Sequence, residues 1–341
     1  MIAPDFRLLL RTELAAQGLL GNDASRLACA EQARACGTAA LADIQRVVGV
    51  EATRRALSTR RGPACLRSYS YVAGYGALMT EFLIAPVSVA PPSRDHLVRL
   101  GAMANVIVSH FDEMVDGGWP RALLLPHWAL SMAGTRPGRV GLRLTAGMLP
   151  ASSRLIALLV AEYFARLDAL PYAARHVRAR RRVYRTVTEM YAEEGRTPRE
   201  WRRLRGTSAL QKKTALPLVV LGLPAWLAVP NDERRAYDRH RRWLTHIGKF
   251  IRWVDDAADV DMDTVAGASN MVVHARARRS RRGGNDAALA AAIARRGRRL
   301  VDEWRIMTGP DNRNAADVAL GGAVLANVLV AWVGSPDAVL R

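Results

Sequence analysis

Apolar residues recur at three- and four-residue intervals through most of this chain, and no long stretch alternates with a period of two. That spacing builds amphipathic helices and excludes half-buried strands. Segments such as "RDHLVRLGAMANVIVSHFDEMVD" and "SSRLIALLVAEYFARLDAL" show it plainly. Breakers fall between them, at "GPA" from Gly62, "APPS" from Ala90, "DGGWP" from Asp116, "GTRPG" from Gly134, "VPND" from Val229, "RRGGND" from Arg281 and "TGPDN" from Thr308. Ser93 and Asp95 are the expected caps of the helix that follows "APPS". With no internal repeat, the chain reads as one all-α domain over residues 1–341. Residues 1–60 form N-terminal helices, 61–275 a core, and 276–341 a basic loop ("ARARRSRRGGND") with C-terminal helices. A split near residue 90 is the alternative.

The longest uncharged stretch, "TALPLVVLGLPAWLAVPN", is interrupted by Pro217, Pro224 and Pro230. It reads as a kinked core helix, and no transmembrane segment is expected. The first twenty residues carry Asp5, Arg7, Arg11 and Glu13, an amphipathic pattern unlike a secretory signal. Cys29, Cys36 and Cys65 show no CxxC spacing, which fits free thiols in a reducing, cytoplasmic setting.

The formal net charge is +19, and only three of the 50 basic residues are lysine. Such an excess suits nucleic acid, an anionic membrane surface or an anionic small substrate. The basic runs, densest at Arg175–Arg185, come without zinc-finger spacing, an RNP-like aromatic motif or a bZIP heptad array, so no nucleic-acid partner is expected.

Against this background two acidic clusters stand out. In "SHFDEMVDGG", Asp112 and Asp116 are four residues apart and share one helix face beside Glu113. They close an apolar helix at its C-terminal end, where the helix dipole disfavours anions. In "FIRWVDDAADVDMD", Asp255, Asp259 and Asp263 follow an i, i+4, i+8 stripe flanked by Asp256. A single cluster reads as a solvated face balanced by arginines; two, each running from an apolar helix, point to a bound cation. Oxygen ligands without Cys or His favour magnesium. Between the clusters, Lys212 and Lys213 open an apolar helix, and one of them can offer a mobile point charge to a phosphate.

These stretches resemble the motifs of the class I isoprenoid synthase superfamily. "DEMVD" is similar to the first aspartate-rich motif, DDxxD, with Glu113 at the second position. "IRWVDDAAD" resembles FQxxDDxxD, with Ile251 and Arg252 at the Phe and Gln positions, and "KKTAL" is similar to the KT helix between them. The longer run "DDAADVDMDTVAGASN", ending at Gly267 and Asn270, is similar to a divergent bacterial branch. The resemblance spans roughly residues 60 to 275. It implies a helical bundle around a deep apolar cavity, with the two motifs facing each other across it. It also implies three Mg2+ ions held by Asp112, Glu113, Asp116, Asp255, Asp256, Asp259, Asp263 and Asn270. The catalytic group would be Asp112, Asp116, Asp255, Asp256 and Asp259, and the diphosphate contacts Lys212, Lys213, Arg252 and Arg61. The substrate would be a prenyl diphosphate, and a homodimer is compatible with this class.

Departures from the family pattern bear on the reaction. Chain-elongating synthases carry GGKxxR, whereas "STRRGPACLRSYSYV" has Arg60, Arg61 and Arg67 but no GGK, and only Arg121 closely follows the first motif. One-substrate ionisation and cyclisation is therefore favoured over condensation by a prenyltransferase. A non-enzymatic helical binder of nucleic acid or anionic lipid is the third reading. His110, His240 and His246 read as structural residues, and Trp253 as core or cavity lining.

Overall fold

The computed structural model describes residues 6–20, 23–58, 64–116, 133–194, 207–230, 233–258, 260, 270–280 and 285–309. Every regular element among them is helical: α1 (Phe6–Ala16), α2 (Asp23–Val48), α3 (Val50–Ser58), α4 (Ala64–Ile84), α5 (Pro91–Asp116), α6 (Arg136–Thr145), α7 (Ala151–Asp168), α8 (Val177–Glu194), α9 (Thr207–Gly222), α10 (Arg234–Ala258), α11 (Met271–Ser280) and α12 (Asp286–Thr308). Two 3₁₀ segments, Ala146–Met148 and Leu223–Leu227, extend α6 and α9. The all-α reading of the periodicity is met. The chain divides into two compact units, one of Ala30–Gly195 and Val219–Tyr237, the other of Met1–Cys29, Arg196–Leu218 and Asp238–Arg341.

In the first unit, α4 and α5 form an antiparallel hairpin. The interface is built from small and polar residues: a Cβ on Gly101 would lie 1.7 Å from Thr80 Oγ1, and Asn105 Nδ2 donates to the Val72 carbonyl at 2.7 Å. Helices α2 and α4 meet backbone to backbone. A Cβ on Gly74 would stand 1.8 Å from the Ala33 carbonyl oxygen, and one on Gly37 1.8 Å from that of Ser70. Helix α7 lies at the centre of the unit, with Leu155, Ile156, Leu159, Val160, Tyr163, Phe164 and Leu167 all buried. Each such side chain contributes roughly 1.5–3 kcal/mol of burial.

Helix α5 starts earlier than the caps predicted. Pro91 and Pro92 are its first residues and Arg94 N–H already donates to the Ala90 carbonyl at 2.9 Å, so Ser93 lies within its first turn and Asp95 just beyond it. Proline suits that position, because the missing N–H has no intrahelical acceptor to lose. The proline-interrupted apolar stretch behaves as expected. Pro217 sits inside α9, and Leu223 to Val229 are buried in the 3₁₀ segment and the residues after it.

Two carboxylates tie the helices of this unit together. Asp43 on α2 accepts from both terminal nitrogens of Arg166 on α7, and Arg46 adds a contact at 3.0 Å. Burial pushes the Asp43 carboxyl up, but Arg166, with Arg46 and Arg99, more than offsets it and holds the group below the usual carboxylate range. Asp168, at the end of α7, accepts from Arg139 of α6 (2.9 Å), Arg180 of α8 (2.8 Å) and the Tyr184 hydroxyl (2.7 Å).

In the second unit, α10 buries His240, Trp243, Leu244, Ile247, Phe250, Ile251, Val254 and Ala257, a continuous 3.6-period stripe. Trp243 Nε1 donates to the Leu300 carbonyl of α12 at 2.9 Å, and Gly297 of α12 meets the Phe250 ring. The basic loop expected over "ARARRSRRGGND" is helical as far as Ser280. Arg276 accounts for part of this order: it pairs bidentately with Asp286 at 2.7 and 3.1 Å and stands over the Phe6 ring at 5.8 Å.

Candidate functional site

The first acidic motif occupies the last turn of α5, in the unit built around α7. Phe111 and Met114 point into the core, Asp112 is half-buried and Glu113 is exposed. Asp116 ends the helix, but its side chain lies outside the described residues. Tyr69, almost fully buried on α4, reaches across the hairpin and donates its hydroxyl to Glu113 Oε2 at 2.7 Å. The Tyr69 hydroxyl oxygen also lies 2.7 Å from His110 Nδ1.

Hydrogen counting fixes the imidazole tautomer. A carboxylate only accepts, so the single phenol proton goes to Glu113, and Nδ1–H of His110 must donate to the Tyr69 oxygen. Nε2 is then a bare acceptor, buried and without a hydrogen-bond partner among the described residues. Burial pushes the His110 pKa down to about 4. Neutral His110 is thus part of the fold, in line with its structural reading. The folded value lies below the unfolded one near 6.5, so the unfolded chain takes up the proton first. The stabilisation is complete above about pH 6.5 and is lost as the pH falls toward about 4. His110→Asn, which retains a donor near the Nδ1 position, is expected to flatten the decline of denaturation midpoint between pH 7 and pH 4 relative to the wild type. Parallel curves for the two proteins would refute this.

The second motif occupies the last turns of α10, in the other unit. Asp255 is half-buried, and Asp256 is 1% exposed. Arg252, one turn earlier, reaches Asp255 Oδ2 at 3.2 Å and Asp256 Oδ1 at 2.6 Å. Asp256 Oδ2 accepts the Met271 N–H at 2.7 Å, and Asn270 Nδ2 donates to the Asp256 backbone carbonyl at 2.6 Å. Asn270 Oδ1 in turn accepts from Val272 and Val273 N–H, at 2.9 and 3.1 Å, which makes it the N-cap of α11. Asp256 and Asn270 therefore clasp the end of α10 to the start of α11.

Of the other predicted site residues, Arg61, Asp259, Asp263 and Gly267 lie outside the described residues, as do the side chains of Lys212 and Lys213 on α9. The structure brings together Asp255, Asp256, Arg252 and Asn270 in one unit, and Asp112 and Glu113 with Tyr69 and His110 in the other. Sequence reasoning passed over Tyr69; its role depends on the antiparallel register of α4 on α5, which no local pattern reveals.

Oxygen-only donors fit a hard divalent cation. Asp112 and Asp255 are half-buried, whereas Asp256 is buried with both oxygens engaged within the protein. Among the described residues, no group of three or more His, Cys, Asp or Glu side chains is gathered closely enough to hold a metal ion. Near the first motif, an apolar void of about 10 Å³ lies among Ala104, Ile107, Val160, Tyr163 and Met190. Ile107 precedes Asp112 by five residues, roughly 140° around the helix, so the void does not lie directly beneath that carboxylate. A larger concavity of about 370 Å³ between α2, α4 and α5 is lined by Asp43, Arg46, Asp95 and Arg99 beside alanines, and is not an apolar pocket. No family model matches the chain, and no curated protein matches it.

Proposed function

We propose that the chain is a magnesium-dependent class I terpene synthase, ionising an allylic prenyl diphosphate and cyclising or rearranging the resulting carbocation. The supporting observation is the end of α10. Two adjacent carboxylates, one almost fully buried, sit where the helix dipole disfavours them, and a guanidinium is folded back onto both. Arg252 balances part of this negative charge, and the sequence around the pair resembles a diphosphate–metal motif.

On this reading, Asp112 and Asp255 present hard oxygen ligands at the ends of α5 and α10. Asp256 and Asn270 orient that end of α10 rather than contact the ion. Arg252 shields the paired carboxylates and would offer its guanidinium to a diphosphate oxygen. Bound magnesium supplies Lewis-acid neutralisation of the charge that develops on the departing diphosphate. The carbocation needs a dry apolar environment, and Trp253, half-buried one residue beyond Arg252, offers a ring face for cation–π stabilisation.

The test uses purified full-length protein with magnesium and geranyl, farnesyl, geranylgeranyl or longer diphosphates, each supplied alone. Diphosphate release with a hydrocarbon or alcohol product is expected, abolished by EDTA. Turnover only after addition of a second prenyl substrate would replace this reading with a prenyltransferase. No release from any substrate or pair would sink both.

A further inference from the structure

Helix α6 and the 3₁₀ turn that follows it present two opposed apolar faces. The inward face carries Gly138, Leu142 and Ala146, all buried, with Arg139 also turned inward to Asp168. Val140, Leu144 and Met148 lie on the other side at four-residue spacing, 51%, 77% and 87% exposed. These three make up nearly half of the exposed large hydrophobics among the described residues, where the other four are scattered over separate helices. An exposed row this concentrated marks an interaction surface rather than ordinary surface leucines.

Its charge identifies the partner. Arg136 lies one turn before Val140 and Arg143 one residue before Leu144, so both border the apolar row. Arg143 is half-exposed even while it touches Glu162 at 2.8 Å, and Arg136 is exposed. Between Asp116 and Glu162 the sequence has no acidic residue and five arginines. A second copy of a chain with a net charge of +19 would be repelled from such a face. An anionic bilayer surface would take up the apolar row at the acyl boundary and the guanidiniums among its headgroups. Among the described residues, no helix is long and apolar enough to cross a membrane, so the contact is interfacial.

We infer that α6 with its 3₁₀ extension is a peripheral membrane-docking element for anionic lipid, seated through Val140, Leu144 and Met148 and flanked by Arg136 and Arg143. Anchoring is independent of two neighbouring features: Thr135 caps α6, its side chain accepting from Gly138 N–H at 3.1 Å, and Arg139 pins the helix to Asp168. Surface substitutions on the outer row therefore leave the fold intact.

Co-sedimentation of the full chain with vesicles tests this, comparing pure phosphatidylcholine with equal parts phosphatidylcholine and phosphatidylglycerol. Binding is expected only to the anionic vesicles and is expected to weaken as salt rises. The double substitution Leu144→Ser, Met148→Ser should reduce partitioning about tenfold or more, and Arg136→Gln about fivefold. Circular dichroism and the thermal midpoint of both variants should match the wild type. No binding to anionic vesicles overturns the inference, as does binding that the double substitution leaves unchanged. Equal binding to neutral vesicles removes the charge component and overturns it as stated. Concentration-dependent self-association that the double substitution abolishes, without vesicle binding, would assign the row to a second copy instead.

Discussion

Asp256→Ala is expected to destabilise the protein by about 3–5 kcal/mol, whereas Asp255→Ala changes stability by less than about 1 kcal/mol and abolishes magnesium-dependent turnover. The two aspartates are adjacent in sequence but differ in surroundings. Asp256 is 1% exposed, with Arg252 on one oxygen and Met271 N–H on the other. Its removal leaves a half-buried guanidinium without this partner and an N–H at the start of α11 without its acceptor, the costliest kind of deletion. Asp255 is half-buried, holds Arg252 at 3.2 Å, and can be solvated when that contact is lost. Chemical denaturation of both variants, beside the diphosphate-release assay, separates a positioning carboxylate from one proposed to hold metal. Equal stability of the two variants would show that the clasp between α10 and α11 carries little energy. Undiminished turnover in Asp255→Ala would remove that residue from the proposed metal site.

Gly74→Ala should destabilise the chain by about 3 kcal/mol or more, at the upper end of overpacking penalties. A new Cβ would stand 1.8 Å from the Ala33 carbonyl oxygen, and that oxygen belongs to the backbone of α2. No rotamer change relieves such a clash, so α2 and α4 must separate. Ala33, buried at their crossing, loses its packing in the process. Gly147→Ala serves as the control, since nothing lies within 4 Å of a Cβ there. A Gly74→Ala protein as stable as Gly147→Ala would mean that the two helices do not cross at this distance in solution. Thermal or urea denaturation reads the difference directly.

The helical period made the fold class legible, because a 3.6-residue stripe such as the one on α10 has no strand interpretation. Breakers located most ends, but failed where local rules compete. Ser93 and Asp95 are good caps, yet two prolines with preset φ had already started α5 at Pro91. The arginines of "HARARRS" read as a loop because repulsion among them is visible in sequence, while Asp286 and the Phe6 ring that hold Arg276 are not. At the candidate site, carboxylate spacing identified Asp112, Asp255 and their neighbours as unusual. It could not separate Asp256 from Asp255, because burial depends on α11 returning to the end of α10. Asn270 illustrates the same limit: a side chain that resembles a metal ligand in the motif is occupied in capping a helix. Tyr69 was invisible for want of any local signal, since its partners are 41 and 44 residues away.

The clasp formed by Asp256 and Asn270 also bears on how the two helix ends open. Asp256 accepts the Met271 N–H, while Asn270 both donates to the Asp256 carbonyl and caps α11. The end of α10 and the start of α11 therefore share the same two side chains. Opening of either end breaks bonds of the other, so the two helix ends are expected to open as one unit. Amide hydrogen exchange at Met271, Val272 and Val273 is expected to speed up together when either side chain is removed.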